Sequence, residues 1–144
     1  MGGFTLIETV VVVAILGLAL TLILSYGPPT SGGAALKAAT ASLVGGLREA
    51  RAQAIAGNRS VSLTVDLTNR TFTIGGQPAT ALPADIGLRL ITVAGETTGS
   101  STGSIRFLPD GSSTGGRIEL VAPNRRIQVG VDWLSGRASV VDGR

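Results

Sequence analysis

The chain contains no cysteine and no histidine among its 144 residues. Without cysteine there is no disulfide framework, and without either residue the commonest metal ligands and general bases are missing. Aromatic residues make up only 3% of the sequence. These absences exclude a Ser-His or Cys-His nucleophilic pair and a thiolate metal site. We therefore expect no metal, no cofactor and no enzymatic activity.

Motifs that hold phosphate groups are also missing. The chain has no Gly-x4-Gly-Lys-Ser/Thr segment, and its glycine-rich stretches lack the strand-to-helix setting of a dinucleotide-binding loop. Two acids, Asp110 and Asp132, could in principle form an acid–base pair. We interpret Asp110 more simply as part of a turn and Asp132 as the end of a strand.

Charge is nearly absent from the first third of the chain, where Glu8 and Lys37 are the only charged residues of positions 1–47. The whole chain has 12 basic and 9 acidic residues, for a net charge of +3. Because this excess is small and the acids are interspersed, a solvated surface is the simpler interpretation. The 21 glycines indicate a light, loop-rich β-domain.

What the chain does have is one long aliphatic run, from Phe4 to Tyr26. A helix needs about 20 apolar residues to cross a bilayer, so residues 4–26 are predicted to form a transmembrane helix. Glu8 interrupts the run near its start. A carboxylate within hydrocarbon costs roughly 2.5–3.5 kcal/mol, so we expect it to have a partner or a function.

The segment Gly3-Phe4-Thr5-Leu6-Ile7-Glu8 before this run resembles the processing site of type IV pilins and type II secretion pseudopilins. The resemblance implies that a prepilin peptidase/N-methyltransferase cuts after Gly3, removing residues 1–3 as a leader. It also implies N-methylation of Phe4. Glu8 would then neutralise the N-terminal amine of a neighbouring subunit in the fibre.

The segment also has two simpler interpretations. Glu8 could be an ordinary acid that interacts with the helix dipole near the membrane surface. The run could also be a signal peptide, but such cores span 7–15 residues and follow a basic leader. Met1-Gly2-Gly3 carries no basic residue, whereas pilin leaders are usually longer and basic. That departure concerns the length of the leader and not the cut site.

Small residues recur every four positions along the aliphatic run, at Gly17, Thr21 and Ser25. They would lie along one face of a helix and allow close approach of a neighbouring helix, because membrane helices associate through packing and polar contacts. Chance placement within an aliphatic helix is the alternative.

Residues 27–33 contain Pro28-Pro29 and are predicted to form a kink or linker. An amphipathic helix is predicted over 34–57, with Gly45-Gly46 allowing another backbone to approach and Gly57-Asn58 ending it. The larger apolar residues of its packing face are Leu36, Leu43, Val44, Leu47 and Ile55.

From residue 58 to 144 the apolar period changes to two, which predicts six to eight strands with one buried face each. Two longer linkers are expected, at Gly75–Gly87 and Ala94–Ser104. The second could be a contact loop or a tolerated insertion. The fold class is therefore α+β, a long kinked helix followed by an antiparallel β-sheet or β-sandwich head.

The head resembles a narrower group, the GspH/FimT type of minor pseudopilin. The resemblance is carried by Arg48–Ala54 leading into the strand at Ser60–Leu63, by Phe107-Leu108-Pro109-Asp110-Gly111, and by Gly136-Arg137. It implies a type II secretion pseudopilin of the H type at or near the fibre tip. Its partners would be the other minor pseudopilins and the major pseudopilin. It would be anchored in the inner membrane of a Gram-negative bacterium with its head in the periplasm.

A second hypothesis is a FimT/FimU-like minor pilin of a type IV pilus that binds DNA during uptake. Its phosphate contacts would be Arg117, Arg125, Arg126 and Arg137. Against it, that branch is associated with Gly-Arg-x-Arg, whereas residues 136–139 read Gly-Arg-Ala-Ser, and its common cysteines are missing. A third possibility is a membrane-anchored β-domain unrelated to fibres.

Overall fold

A computed structural model describes residues 2–25, 32–91 and 101–143 of the chain. The chain divides into two compact units, Met1–Thr30 and Ser31–Arg144. The predicted kink at 27–33 lies mostly outside the described residues, and so does most of the predicted loop at 94–104.

The first unit contains one helix, α1, at Leu6–Ser25. Thr5 caps it, because the Glu8 backbone N–H donates to the Thr5 carbonyl at 3.0 Å and to its hydroxyl at 3.3 Å. Aliphatic side chains are exposed all around α1; Leu6, for example, is 83% exposed. Over the part of the chain that the structure describes, no helix has the length and apolarity needed to cross a membrane. The transmembrane assignment of 4–26 stays a prediction.

The second unit begins with helix α2, Gly32–Ala56. One face of α2 is buried, formed by Leu36, Ala39, Thr40, Leu43, Val44, Gly46, Leu47, Ala50 and Ala54. The assignment of Ile55 to this face was wrong, since its side chain is 46% exposed. Ala54 occupies that end of the face instead. Its methyl group is fully buried, as expected where the helix packs on the sheets.

The end of α2 has the hydrogen bonds of a Schellman motif. The Arg59 N–H donates to the Ala54 carbonyl at 3.2 Å and the Asn58 N–H to the Ile55 carbonyl at 3.3 Å. Asn58 is the residue in the left-handed conformation, with φ of 46°. Asparagine tolerates this region better than most residues, so Gly57 is not the residue that turns the chain.

Two antiparallel four-stranded sheets follow α2, and they confirm the predicted α+β fold class. One sheet has the order β3-β2-β1-β5 and the other the order β4-β6-β7-β8. The strands are β1 Val61–Asp66, β2 Thr71–Ile74, β3 Thr80–Ala81, β4 Gly87–Ile91, β5 Thr102–Phe107, β6 Gly116–Ala122, β7 Arg125–Val131 and β8 Ala138–Gly143.

Both expected linkers differ from simple loops where they are described. The Gly75–Gly87 segment contains β3 and buries the side chains of Leu82 and Ile86. The Ala94–Ser104 segment ends inside β5, which begins at Thr102. The predicted Ala94–Ser104 linker therefore extended too far toward the C-terminus. Small residues such as Gly103 and Ser104 show no apolar alternation, so the start of β5 was not visible in the sequence.

The core lies where α2 packs against both sheets. Its largest fully buried side chains are Phe107, Leu36, Leu43, Leu47, Leu63, Ile86, Ile105, Ile118, Leu120, Val65 and Val129. The sheets also meet directly, at Leu90 of β4 and Gly103 of β5. A Cβ at position 103 would collide with the Leu90 side chain, so glycine is required for this contact.

Gly45 and Gly46 of α2 have opposite surroundings. A Cβ on Gly46 would lie 2.6 Å from Cε2 of Phe72 and 3.2 Å from Cδ1 of Leu63. A Cβ on Gly45 would meet nothing within 4 Å. The expected approach of another backbone was therefore wrong, because the ring of Phe72 and not a main chain fills the space at Gly46.

This contrast makes a matched pair of variants. Gly46→Ala should destabilise the full chain by about 1–2 kcal/mol, because the collision with Phe72 exceeds the gain in helix propensity. Gly45→Ala should stabilise it by up to about 1 kcal/mol, since only the propensity changes. Thermal denaturation in mild detergent, followed by circular dichroism, measures both. Equal or parallel shifts of the two melting temperatures would contradict this account of the packing.

Candidate functional site

The first half of the processing motif, Gly3-Phe4-Thr5, lies ahead of α1 and outside regular structure. Gly3 and Phe4 are exposed, and Phe4 keeps 80% of its surface accessible. A Cβ at position 3 would meet nothing within 4 Å. Nothing in the described chain therefore covers the peptide bond between Gly3 and Phe4.

Glu8 lies in the first turn of α1, where an acid interacts favourably with the helix dipole. Its backbone N–H is used by the Thr5 cap, and its side chain is exposed. Within residues 2–25, 32–91 and 101–143, no hydrogen bond or ion pair involves the Glu8 carboxylate. The carboxylate is thus available to another chain.

Gly17, Thr21 and Ser25 are all exposed on α1. The Thr21 hydroxyl donates to the Gly17 carbonyl, one turn earlier on the same helix. The Thr21 hydroxyl therefore donates within α1 and not to a neighbouring helix. The three residues could still let a neighbouring helix approach closely, because their side chains are small. A contact with another helix at this face stays a prediction.

The four arginines of the DNA-binding hypothesis do not come together. Arg125 forms an ion pair with Asp142 of β8, with Nε 3.3 Å from Oδ1 and a second, closer contact between the terminal nitrogen and Oδ2. This hydrogen-bonded carboxylate raises the pKa of Arg125. Arg125 is consequently matched with a negative charge already present in the chain.

The other three arginines lie apart along the second sheet. Arg126 of β7 is opposite Gly143, and Arg137 directly precedes β8 at the other end of the same strand pair. Six residue steps along the strand pair separate them, which correspond to about 20 Å. Arg117 of β6 is opposite Gly130, nearer the Arg137 end. The arginines therefore form no continuous basic stripe.

Arg137 instead lines a cavity with two arginines of α2. The cavity has a volume of about 600 Å³ and is lined by Arg48, Arg51, Gly136, Arg137, Ala138 and Ser139. Sequence reasoning missed Arg48 and Arg51 as site residues. Their separation by three positions places them on one helix face, and that spacing was the available signal.

Arg51 joins two turns at the base of this cavity. Its Nε–H donates to the Gly111 carbonyl at 3.0 Å. Gly136 has φ of +64°, and a Cβ there would collide with that carbonyl oxygen and lie 3.0 Å from Nε of Arg51. The three segments that carry the narrower resemblance, one in the helix and two in turns, therefore meet at one point.

Asp110 and Asp132 each stabilise their own turn. The Ser112 hydroxyl and backbone N–H hold the pKa of Asp110 below its usual value. The Ser135 backbone N–H and hydroxyl, with the Leu134 N–H, do the same for Asp132. Neither acid is placed as a proton donor, and among the described residues no cluster of acids could hold a metal ion.

Residues 39–136 match the family model of the type II transport protein GspH. The chain belongs to this GspH family. A type II secretion system protein H of Xanthomonas campestris pv. campestris is 31% identical over 134 residues. That alignment covers 93% of this chain and 79% of the relative. The match to a GspH-type pseudopilin predicted from the sequence is confirmed.

Solved structures share the fold. The minor pseudopilin EpsH of the type 2 secretion system of Vibrio cholerae superimposes with a TM-score of 0.58 at 16% identity, covering 74% of this chain and 95% of that one. The type IV minor pilin FimU of Pseudomonas aeruginosa gives 0.55 at 14% identity, covering 81% and 93%. Because the fold is common to both classes, it does not favour the pilin hypothesis, which the family match leaves less supported.

Two glycines with positive φ test the junction at Arg51. Gly136→Ala should destabilise the GspH-family chain by about 2–4 kcal/mol, because backbone strain adds to the collision with Gly111. Gly75→Ala should cost only about 1–2 kcal/mol, since its φ is +58° but the nearest atom to its added Cβ is 3.8 Å away. Urea denaturation in mild detergent compares them, and equal losses would contradict the packing role of Gly136.

Proposed function

We propose that this chain is a minor pseudopilin of a type II secretion pseudopilus. It would be a structural subunit at or near the fibre tip that supports export of folded proteins across the outer membrane. The match of residues 39–136 to the GspH family carries the proposal. The accessible Gly3–Phe4 bond, ahead of an aliphatic helix, supports it independently, since a peptidase needs an extended and uncovered segment.

The proposed organisation follows the chain. A prepilin peptidase removes residues 1–3, residues 4–26 anchor the subunit in the inner membrane, and residues 27–33 form a linker. Residues 34–57 pack on the head, and residues 58–144 form the periplasmic β-domain. The exposed aliphatic side chains along α1 support this anchoring, because the few polar residues form no continuous polar face to turn toward water.

Glu8 has the central role in assembly under this proposal. Cleavage after Gly3 creates a positively charged amine at Phe4, next to the positive end of the α1 dipole. A neighbour's Glu8 carboxylate can neutralise that amine away from water. Removing one partner of a buried ion pair typically costs about 3–5 kcal/mol, so the pair would strongly favour one axial register between subunits.

Cleavage after Gly3 can be tested by intact-mass spectrometry of the full chain co-expressed with a prepilin peptidase. The parent chain should lose Met1-Gly2-Gly3 and gain one methyl group. Gly3→Val should leave the mass unshifted, because a branched side chain blocks the cut. Gly2→Val is the matched control and should still be processed. A processed Gly3 variant, or an uncut parent chain, would refute the assigned site.

The role of Glu8 can be tested by co-purification with the other pseudopilins. Glu8→Ala should still be processed and anchored but bind its neighbours at least about 100-fold more weakly, as expected from losing a desolvated ion pair. Glu8→Gln should fail similarly, because the charge and not the size matters. Glu49→Ala, the same charge change on exposed α2 surface, is the control. Undiminished co-purification and secretion with Glu8→Ala would exclude the register role.

A further inference from the structure

The cavity formed by Arg48, Arg51 and Arg137 concentrates positive charge at one place on the head. We propose that it receives a carboxylate side chain, Asp or Glu, from the head of a neighbouring pseudopilin. This inference rests on the proposed function for the existence of such a neighbour. It concerns a second contact, separate from the one at Glu8, because it lies in the other structural unit.

One hydrogen bond to the main chain orients the side chain of Arg51 in the cavity lining. Arg51 is only partly exposed, and its Nε–H is held by the Gly111 carbonyl at 3.0 Å. Because the guanidinium group is planar, fixing Nε also sets the plane of the two terminal nitrogens. Such a group is prepared for a carboxylate, since little side-chain freedom remains to be lost on binding.

Arg48 and Arg137 each add a positive charge that no acidic side chain of the described head neutralises. Across the ranges that the structure describes, no hydrogen bond or ion pair involves either guanidinium group. Glu49, beside Arg48 in the sequence, accepts hydrogen bonds from Gln53 and Gln77 instead. Ser139 is also part of the lining and is exposed.

The acidic residues of the adjoining turns already accept hydrogen bonds within those turns. The Asp110 carboxylate accepts from the Ser112 backbone N–H at 2.9 Å, and the Asp132 carboxylate from the Ser135 N–H at 2.7 Å. An acid from another chain would therefore be the group that completes the cavity. Arginine favours this partner because its forked donors match the two oxygens of a carboxylate.

The arrangement of the arginines favours a carboxylate of another protein over nucleic acid as the partner. Binding to DNA gains affinity from many phosphate contacts along the backbone, which needs a basic stripe. Here three arginines line one concavity, Arg125 is paired with Asp142, and Arg126 lies about 20 Å from Arg137 along the strand pair.

Site-specific photocrosslinking tests the proposal in the full chain co-expressed with the other pseudopilins. A benzophenone amino acid replaces Ser139 at the cavity or, as a control, Asn124 in the exposed turn at the far end of the sheet. We expect position 139 to cross-link to another pseudopilin through a peptide that contains Asp or Glu. A cross-link to a peptide without an acid, to nucleic acid, or to nothing would overturn the proposal.

Charge reversal then tests the arginines themselves. Combining Arg48→Glu with Arg137→Glu should reduce the cross-link from position 139 at least about tenfold. The matched control, Arg126→Glu combined with Arg89→Glu, makes the same total charge change away from the cavity and should leave it within about twofold. Arg51 is left intact because it also holds the fold. An unchanged melting temperature of each variant excludes unfolding as the cause.

Replacing the cross-linked acid of the partner by lysine should restore the cross-link to the Arg48→Glu, Arg137→Glu chain. Failure of that exchange would contradict a direct ion pair between the two chains.

The outcomes for the two proposals can be told apart. A chain that co-purifies with the other pseudopilins through Glu8 but gives no acid-containing cross-link refutes only the proposed role of the cavity. A chain that joins no pseudopilin assembly at all refutes the function as well.

Discussion

The head depends on the packing of α2 against both sheets at once. Neither sheet could remain in water alone with its apolar face uncovered, and the leucines of α2 cover both. The alanines at positions 50 and 54 keep the helix close enough to do so. Removing α2 would therefore expose two apolar faces, so helix and sheets are expected to fold as one cooperative body.

Most of this architecture could be predicted because it follows from local periods. The strands with clean alternation, such as Val61, Leu63 and Val65, each have one buried row and one partly exposed row. Strand β8 gave no such signal: Val140 and Val141 are adjacent and both are exposed, as expected at a sheet edge. Strand β3 has only two residues, which is too short for any period to be visible.

The basic cavity could not be predicted for a different reason. Its arginines come from α2 and from a turn more than eighty residues later, and only the fold brings them together. Local sequence patterns indicate on which face of a helix or strand a residue lies. They do not indicate which residues from distant parts of the sequence lie next to it. By contrast, Gly3, Phe4 and Glu8 could be singled out because the processing motif is contiguous. The roles of these three residues in processing and assembly stay predictions.

The contact of Leu90 with Gly103 has a consequence for how the head can vary. These two residues flank the segment that joins the sheets, and their packing holds its ends together from within the core. A side chain at position 103 would have to displace Leu90 from the place where the two sheets meet. Substitutions on the outward faces of the strands leave this contact intact, so the surface of the head can vary while the spacing of its sheets stays the same.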